Sequence, residues 1–328
     1  MMDVLERIRK EAKQSAKRIV LPETDDIRTL HAAIKISLDE LAELILIGDE
    51  VSIKKLAEKH GLDLPDGIKY IRFVDDKHAS QLSEAFYVKR AHKGMTPDAA
   101  HKILLKNPLY YAAMLVDAGF ADGCVAGAAN TTGDVLRAAI QCIGLKKGSS
   151  IVSSVFLMQP QDHGVLTYGD CAVVPYPDSN QLASIAVDSA KTHQSLTGET
   201  PRVAMLSFST KGSAHHERID LVSKALEQAK ALEPDMQIDG ELQFDAAFVS
   251  DVALKKAPGS QVAGKANVFI FPNIDAGNIG YKITERLAGA VATGPIIQGL
   301  AKPMNDLSRG CSWMDIVNAA CVTALMSD

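Results

Sequence analysis

The sequence predicts an α/β protein with mostly parallel sheets, and three observations lead to this fold class. Short aliphatic runs alternate with amphipathic stretches, beginning with Arg18–Pro22, residues 26–40 and Ala42–Ile47, which is typical of βαβ units. The 328 residues exceed the length that one core usually serves. The hydrophobic share of 47% and the charged share of 23% are those of an ordinary globular protein. We therefore expect two α/β domains.

The remaining elements follow in chain order from the same alternation. A charged helix is expected at the start of the chain, Met1–Arg7. Glycine and proline interrupt the pattern at Lys146–Ser150 and Thr293–Pro295, which are predicted to be linkers. The further strands are expected at Ile68–Phe73, Gly123–Ala126, Ser150–Leu157, Arg202–Phe208 and Ala266–Phe271, and the helices around residues 80–91, 96–118, 133–143, 179–194, 215–231 and 278–290.

The composition argues against several classes of function. A formal net charge of −5 argues against broad binding to nucleic acid or to an anionic membrane, so a small-molecule pocket is expected. No apolar run approaches the length of a membrane span and the charged start is unlike a secretion signal, so a cytoplasmic location is expected. The five cysteines are widely spaced and odd in number, and no histidine pair has ligand spacing, so neither disulfides nor a metal site is predicted.

The segment Asn305–Asp315 concentrates reactive side chains just before an apolar helical stretch, Ile316–Met326. One interpretation is structural, because Ser312 and Asp315 have the spacing of a capping box at the start of this helix. The other is functional, because Arg309 stands between a serine and a glycine, where a hydroxyl, backbone N–H groups and a guanidinium could surround one oxyanion. The residues alone leave both interpretations open.

Three other loops combine small residues, hydroxyl or amide groups and a nearby cation, and each follows a predicted strand. In open α/β sheets, ligands bind where strands end in such loops. Each loop alone is also explained by turn and capping preferences, but the four loops together favour a phosphate-bearing ligand. The residues concerned are Asn130, Thr131 and Thr132 ahead of Arg137; Ser209 and Lys211; and the loop Asn273–Gly280 ahead of Lys282 and Arg286.

Several segments, in the right order along essentially the whole chain, closely resemble the phosphate acetyltransferase (phosphotransacetylase) family. The most specific is Asn305–Val317, which contains the Ser308-Arg309 pair. The others are Ser209–Ala214, Asp239–Gln243, Gly264–Val268, Asp275–Lys282 and the pair Leu136-Arg137.

The resemblance implies an activity and an architecture. The family interconverts acetyl-CoA and phosphate with coenzyme A and acetyl phosphate in acetate metabolism, uses coenzyme A as a substrate with no permanently bound cofactor, and needs no metal. It implies a cytoplasmic homodimer of two α/β domains around a cleft, with a fold similar to that of isocitrate and isopropylmalate dehydrogenases. By resemblance, domain I comprises residues 1–147 and 295–328, and domain II comprises residues 148–294.

The resemblance also implies roles for individual residues. Ser308 and Arg309 match the pair at the acyl phosphate, and Asp315 matches the proposed base. Arg137 and Arg286 match arginines at the phosphate or coenzyme A, and Arg90 matches another, although its neighbours Lys89 and Ala91 depart from the family pattern. The remaining substrate-binding candidates are the loop residues Asn130, Thr131, Thr132, Ser209, Lys211 and Lys282.

Alternatives to this interpretation remain at the level of the sequence. Direct attack of the coenzyme A thiolate on acetyl phosphate competes with an acyl-enzyme formed on Cys311. A carboxylate in the first turn of a helix beside arginines should lose basicity, which counts against Asp315 as a base. The acyl group could be propionyl or butyryl, since one methylene changes binding little. A non-catalytic acetyl-CoA-sensing module is a further alternative, and it would be expected to have lost Ser308, Arg309 or Asp315.

Overall fold

The computed structural model describes residues 4–327 and divides the chain into two compact units. Unit 1 comprises Met1–Gly144 with Leu300–Asp328, and unit 2 comprises Leu145–Gly299. Each unit has its own sheet and flanking helices, and most strand pairs are parallel. The predicted α/β class with mostly parallel sheets is therefore confirmed. The first three residues of the predicted N-terminal helix lie outside the described residues.

Unit 1 contains a five-stranded sheet in the order β11-β4-β1-β2-β3, and all its strand pairs are parallel. Its central strand β1 is an aliphatic run whose Ile19, Val20 and Leu21 are buried, as expected of a strand covered on both faces. The elements are α1 Val4–Ser15, β1 Arg18–Leu21, α2 Ile27–Leu38, β2 Glu43–Ile47, α3 Glu50–Lys59, β3 Lys69–Ile71, α4 Ala79–Arg90, α5 Pro97–Leu104, α6 Pro108–Asp117, β4 Gly123–Ala126, α7 Thr132–Cys142, β11 Met304–Asp306 and α13 Trp313–Leu325, with a short 3₁₀ turn at Ala91–Lys93.

Unit 2 contains a six-stranded mixed sheet in the order β10-β5-β6-β9-β7-β8. The strands β6, β9, β7 and β8 are parallel, whereas β5 runs antiparallel to both of its neighbours. The elements are β5 Ser153–Gln159, β6 Leu166–Gly169, α8 Ser179–Thr197, β7 Val203–Leu206, α9 Glu217–Leu232, β8 Ile238–Leu242, α10 Phe244–Phe248, α11 Ser250–Lys256, β9 Val268–Ile270, α12 Ile274–Leu287 and β10 Val291–Gln298.

The structure corrects two sequence predictions, and in both cases proline is the cause. The predicted helix at 96–118 is two helices, because Asn107 caps a new helix whose first residue is Pro108. The predicted linker Thr293–Pro295 lies inside β10, which tolerates proline because it is an edge strand with a register shift at this point. The chain passes from one unit to the other at Gly144–Leu145 and at Gly299–Leu300.

Parallel strands bring the loops that follow them to one edge of each sheet. In unit 1, the neighbouring strands β1, β4 and β11 end in the loops 22–26, 127–131 and 307–312. These three loops are close together and contain Ser308, Arg309, Asn130 and Thr131, and Thr132 is the first residue of α7 directly after them.

Helix α12 is held close to the end of β6 by a glycine. A Cβ atom on Gly277 would lie 2.2 Å from the Asp170 carbonyl oxygen and 3.2 Å from Cys171 Sγ. We expect Gly277→Ala to lower the free energy of unfolding by about 1–3 kcal/mol, as overpacking does elsewhere. Chemical denaturation measures this loss. Gly133→Ala is the matched control, because its Cβ would be 3.7 Å from Thr131 Oγ1, the nearest atom apart from the adjacent residues and the helix backbone. Equal stability of the two variants would contradict the expectation.

Candidate active site

A buried carboxylate organises the loop that follows β4. Glu23 is only 7% exposed. Its Oε2 accepts hydrogen bonds from the backbone N–H groups of Gly127 at 2.9 Å and Ala128 at 2.8 Å, and its Oε1 accepts from Ala129 at 3.2 Å and Asn130 at 2.9 Å. The Asn130 side chain donates to the same Oε1 at 2.7 Å. These N–H groups therefore bind a protein carboxylate, and they are not free to hold a ligand phosphate.

Arg28 connects all three loops at this edge of unit 1. Its Nη1 donates to the carbonyl oxygens of Arg309 and Cys311, both at 2.8 Å, and its Nη2 donates to the Ala128 carbonyl at 2.7 Å. The Asp26 carboxylate holds the same guanidinium at 2.6 Å. Sequence reasoning missed this residue, although it lies in the first turn of the helix that follows a strand-to-helix loop of the kind that singled out the other candidates.

The Ser308-Arg309 pair is exposed on the loop that Arg28 supports. The Gly310 N–H group donates to Ser308 Oγ at 3.3 Å, which turns the loop back on itself. Within the described part of the chain, the Arg309 guanidinium makes no hydrogen bond or ion pair, whereas its backbone carbonyl is fixed by Arg28. An unpaired cation on an anchored backbone is suited to bind an anionic ligand.

Asp315 is exposed and forms the capping box that its spacing predicted. The Asp315 N–H group donates to Ser312 Oγ at 3.2 Å, and Asp315 Oδ2 accepts from the Ser312 N–H at 2.8 Å and from its hydroxyl at 2.9 Å. The carboxylate is thus positioned at the start of α13 and accessible to solvent. Both interpretations of this segment are compatible with the same geometry.

The other polar side chains of the β4 loop also have partners inside unit 1. Thr131 caps α7 and donates to Asp134 Oδ2 at 2.7 Å, and Thr132 donates to Asp306 Oδ2 at 2.6 Å. The structure therefore joins the loop after β4 to β11 through Thr132.

Cys311 is buried beside the same loop. Burial raises the pKa of its thiol, and the nearby Arg28 opposes the shift without cancelling it. A thiol with a raised pKa is less available as a thiolate, so the environment does not favour an acyl-enzyme on this residue.

Arg90 and Arg137 extend from two other helices of unit 1. Arg137 is exposed on α7 and pairs with Asp134 at 2.8 Å. Arg90 ends α4, and its buried Nε has no partner among residues 4–327. Burial raises the pKa of Tyr110, and both arginines lie near enough to oppose that shift. The structure thus brings the two arginines around one tyrosine, without recording a contact between either of them and the Ser308-Arg309 loop.

In unit 2, Ser209 and Lys211 lie on a loop anchored by another buried carboxylate. Glu241 is 6% exposed, and its Oε1 accepts from Ser209 Oγ at 3.0 Å and from the Gly212 N–H at 2.7 Å. Lys211 pairs with Asp239 and donates to the Gly240 carbonyl at 2.9 Å. The loop is ordered by internal bonds, and most of the Lys211 charge is already neutralised.

Within unit 2, Lys282 and Arg286 lie away from the loop that contains Ser209 and Lys211. The sequence placed their helix at 278–290, but Asn273 caps it one turn earlier. Arg286 therefore lies about 18 Å along the axis from the first residue of α12, toward the opposite edge of the sheet. Its side chain is 80% exposed and pairs only with the neighbouring Glu285, at 3.6 Å, among the described groups. Lys282 Nζ lies 5.8 Å from the centre of the Tyr281 ring.

Within residues 4–327, no group of three or more histidine, cysteine, aspartate or glutamate side chains is arranged to hold a metal ion. No helix in the same range is long and apolar enough to span a membrane.

The fold and the anchored loops define an α/β protein that presents an arginine, a hydroxyl and a carboxylate at the carboxyl edge of a parallel sheet, where such proteins bind small ligands. The family model described as phosphate acetyl/butaryl transferase matches residues 3–324. The chain therefore belongs to that family. A phosphate acetyltransferase of Thermoanaerobacterium thermosaccharolyticum is 49% identical over 336 residues, covering 99% of this chain and all of that relative.

Solved structures agree with this membership. The EutD phosphotransacetylase of Staphylococcus aureus is 45% identical, with a TM-score of 0.92 over 99% of this chain and 98% of its own. A more distant likeness is the 4-hydroxythreonine-4-phosphate dehydrogenase of Klebsiella pneumoniae, which is 12% identical with a TM-score of 0.53 over 95% of this chain and 98% of its own. At that identity the likeness concerns the fold alone.

Proposed function

We propose that the protein is a phosphate acetyltransferase that interconverts acetyl-CoA and phosphate with coenzyme A and acetyl phosphate. The observation that carries this proposal is the exposed Arg309 guanidinium, which has no partner in the described chain and stands on a backbone fixed by Arg28, next to Ser308. The relative that is 49% identical is a phosphate acetyltransferase, which supports acetyl as the group that is transferred. The distant dehydrogenase likeness supports a fold similar to that of isocitrate and isopropylmalate dehydrogenases.

The proposed chemistry is a direct transfer in a ternary complex. Asp315 takes the proton of the coenzyme A thiol, and the thiolate attacks the acetyl carbonyl carbon. The new S–C bond forms as the C–O bond to phosphate breaks, and inorganic phosphate leaves with the electron pair. Arg309 stabilises the negative charge on the acyl oxygen or the phosphate, and Ser308 orients the phosphoryl oxygens.

The other predicted residues are proposed to bind the anionic parts of the substrates. Arg90 and Arg137 are the candidates of unit 1, together with Asn130 and Thr131, whose side chains would exchange internal partners for ligand, and Thr132, whose hydroxyl would keep its bond to Asp306. Ser209, Lys211, Lys282 and Arg286 are the candidates of unit 2. We also propose a cytoplasmic homodimer, and the exposed apolar side chains of Ile279, Ile283 and Leu287 along one face of α12 support a contact between subunits.

An assay of thioester absorbance with acetyl phosphate and coenzyme A tests the function. We expect thioester to form at the same rate with and without a chelator, and faster with acetyl than with propionyl or butyryl phosphate. A preference for a longer acyl group would reassign the substrate. Absence of thioester with all three acyl phosphates would leave the non-catalytic sensing module as the better interpretation.

Asp315→Asn is expected to lower turnover by about 10²-fold to 10⁴-fold, because the amide cannot take the thiol proton. The variant keeps an oxygen that can accept from the Ser312 N–H, so the helix start should survive. Initial rates measured across pH give the result. The control is Ser312→Ala, which loses the cap at a cost of about 0.5–2 kcal/mol but retains the carboxylate and should retain most of its turnover. Wild-type turnover of Asp315→Asn at every pH would remove Asp315 from the role of base.

A further inference from the structure

A second buried carboxylate, Asp306, lies directly before the Ser308-Arg309 loop. It is the last residue of β11 and is 3% exposed. Its Oδ2 accepts the Thr132 hydroxyl at 2.6 Å, and its buried Oδ1 has no hydrogen-bond partner among the residues described. Gly127 lies against it, since a Cβ there would be 2.5 Å from Oδ1. No space remains for another side chain to satisfy this oxygen from the side of Gly127.

The charges around Asp306 do not compensate its burial. The charged group that acts on it is Glu23, a second carboxylate, which shares the sign of its charge. Of the two cations nearby, the Arg309 guanidinium is exposed on the loop after β11, and the Arg28 guanidinium is engaged by Asp26 and by the carbonyls of Ala128, Arg309 and Cys311. On the side of α7, only the uncharged Thr132 hydroxyl faces the carboxylate.

An ionised carboxylate in this position costs stability. Burial raises the pKa of Asp306 to about 6, the charge of Glu23 acts in the same direction, and the bond from Thr132 opposes the shift. Because the folded pKa is above that of an unfolded aspartate, about 3.9, the folded state binds more protons between these values. Stability therefore falls as pH rises through this window. An amide of the same shape would avoid the cost, so the acid calls for a functional explanation.

We propose that Asp306 is a positioning residue for the reaction proposed above: its ionised carboxylate binds the Thr132 hydroxyl at the start of α7 and so locks the end of the loop after β4 to β11, directly before the loop that carries Ser308 and Arg309. This inference rests on the proposed function. A hydrogen bond to a charged acceptor is stronger than one to a neutral acceptor. Protonation of Asp306 weakens the lock, and the Ser308-Arg309 loop then loses its fixed distance from Asn130 and Thr131.

The test compares the pH profiles of kcat for the wild type and Asp306→Asn. We expect wild-type kcat to fall with a single proton below about pH 6, about tenfold for each pH unit at the acid end. In Asp306→Asn, kcat should be lower at neutral pH, the fall near pH 6 should disappear, and KM should change little. Thr132→Val should lower kcat by the same factor as Asp306→Asn. The double variant should lose no more activity than either single variant, because both substitutions break the same hydrogen bond.

Asp188→Asn is the matched control, since Asp188 in unit 2 is also buried, bonds Ser149 and has a pKa raised by burial. It should leave the profile of kcat unchanged. An acid limb that persists in Asp306→Asn with wild-type kcat would overturn the proposal. So would a loss of kcat that merely follows a loss of folded protein in denaturation at the same pH.

Denaturation midpoints separate this inference from the proposed function. The denaturation midpoint of Asp306→Asn should be higher than that of the wild type at pH 7.5 but not at pH 4.5. The effects of Thr132→Val and Asp306→Asn on the free energy of unfolding should be non-additive only at pH 7.5. If the wild type forms no thioester, the proposed function fails, and this coupling still reports on the lock. Absence of coupling at both pH values overturns the inference even in an active enzyme.

Discussion

Arg309→Gln is expected to lower kcat/KM by about 10²-fold to 10³-fold, the effect of removing one donor that stabilises developing negative charge. The free energy of unfolding should stay the same, because the guanidinium is exposed and bonds nothing in the described chain. The backbone of the loop should also stay in place, since Arg28 holds the Arg309 carbonyl rather than its side chain. Initial rates of thioester formation and chemical denaturation on the same preparation measure the two quantities.

The design of this experiment depends on its controls. Arg309→Lys keeps the charge but loses the planar fork, so its kcat/KM should lie between those of the wild type and Arg309→Gln. Arg7→Gln removes an arginine of α1 that pairs with Glu11 at 2.7 Å, and it should leave kcat/KM unchanged. Equal kcat/KM for Arg309→Gln and the wild type would mean that the reaction does not use this guanidinium.

Glu23→Ala is expected to lower the free energy of unfolding by about 3–5 kcal/mol, since several buried donors lose one acceptor. The four N–H groups of residues 127–130 and the Asn130 amide converge on this carboxylate. Glu23→Gln should cost nearly as much, because its NH₂ group would face N–H donors. Chemical denaturation followed by circular dichroism measures both changes.

The control for Glu23 is a carboxylate with a single exposed partner. Glu11→Ala removes an ion pair on the surface of α1, which should be worth about 0.3–0.5 kcal/mol. If Glu23→Ala unfolds at the same denaturant concentration as Glu11→Ala, the loop after β4 has another support. Turnover of Glu23→Ala should also fall, because the same loop bonds β11 through Thr132.

The sequence predicted several helices and most of the aliphatic strands, including β4 with its exact bounds, but it missed β6, β8, β10 and β11. Helix α8 begins at the predicted residue, because Asp178 and Gln181 form a complete capping box there. Strand β11, in contrast, contains Asn305 and Asp306, which disfavour a strand prediction. Strand β8 contains Asp239 and Gly240, which disfavour a strand prediction.

The candidate site was predicted where it is local in sequence and missed where it is not. Ser308, Arg309 and Asp315 belong to one continuous segment, so their pattern was readable. Arg28 reaches the Arg309 carbonyl across 281 positions of the chain, and Glu23 reaches Gly127 across 104. Such partners follow from the strand order β11-β4-β1, which no local pattern contains.

Because unit 1 is built from two separate segments of the chain, it cannot complete its fold on the ribosome until the second segment has been translated. Strand β11 and helix α13 are translated after unit 2, yet β11 pairs with β4, and Asn318 of α13 accepts hydrogen bonds from Arg9 at 3.1 and 2.7 Å. Unit 2 is continuous and leaves the exit tunnel whole before them. Until β11 has been translated, the N-terminal segment of unit 1 therefore exposes the edge of β4. We expect chaperones to bind this segment during synthesis and prematurely terminated chains to aggregate.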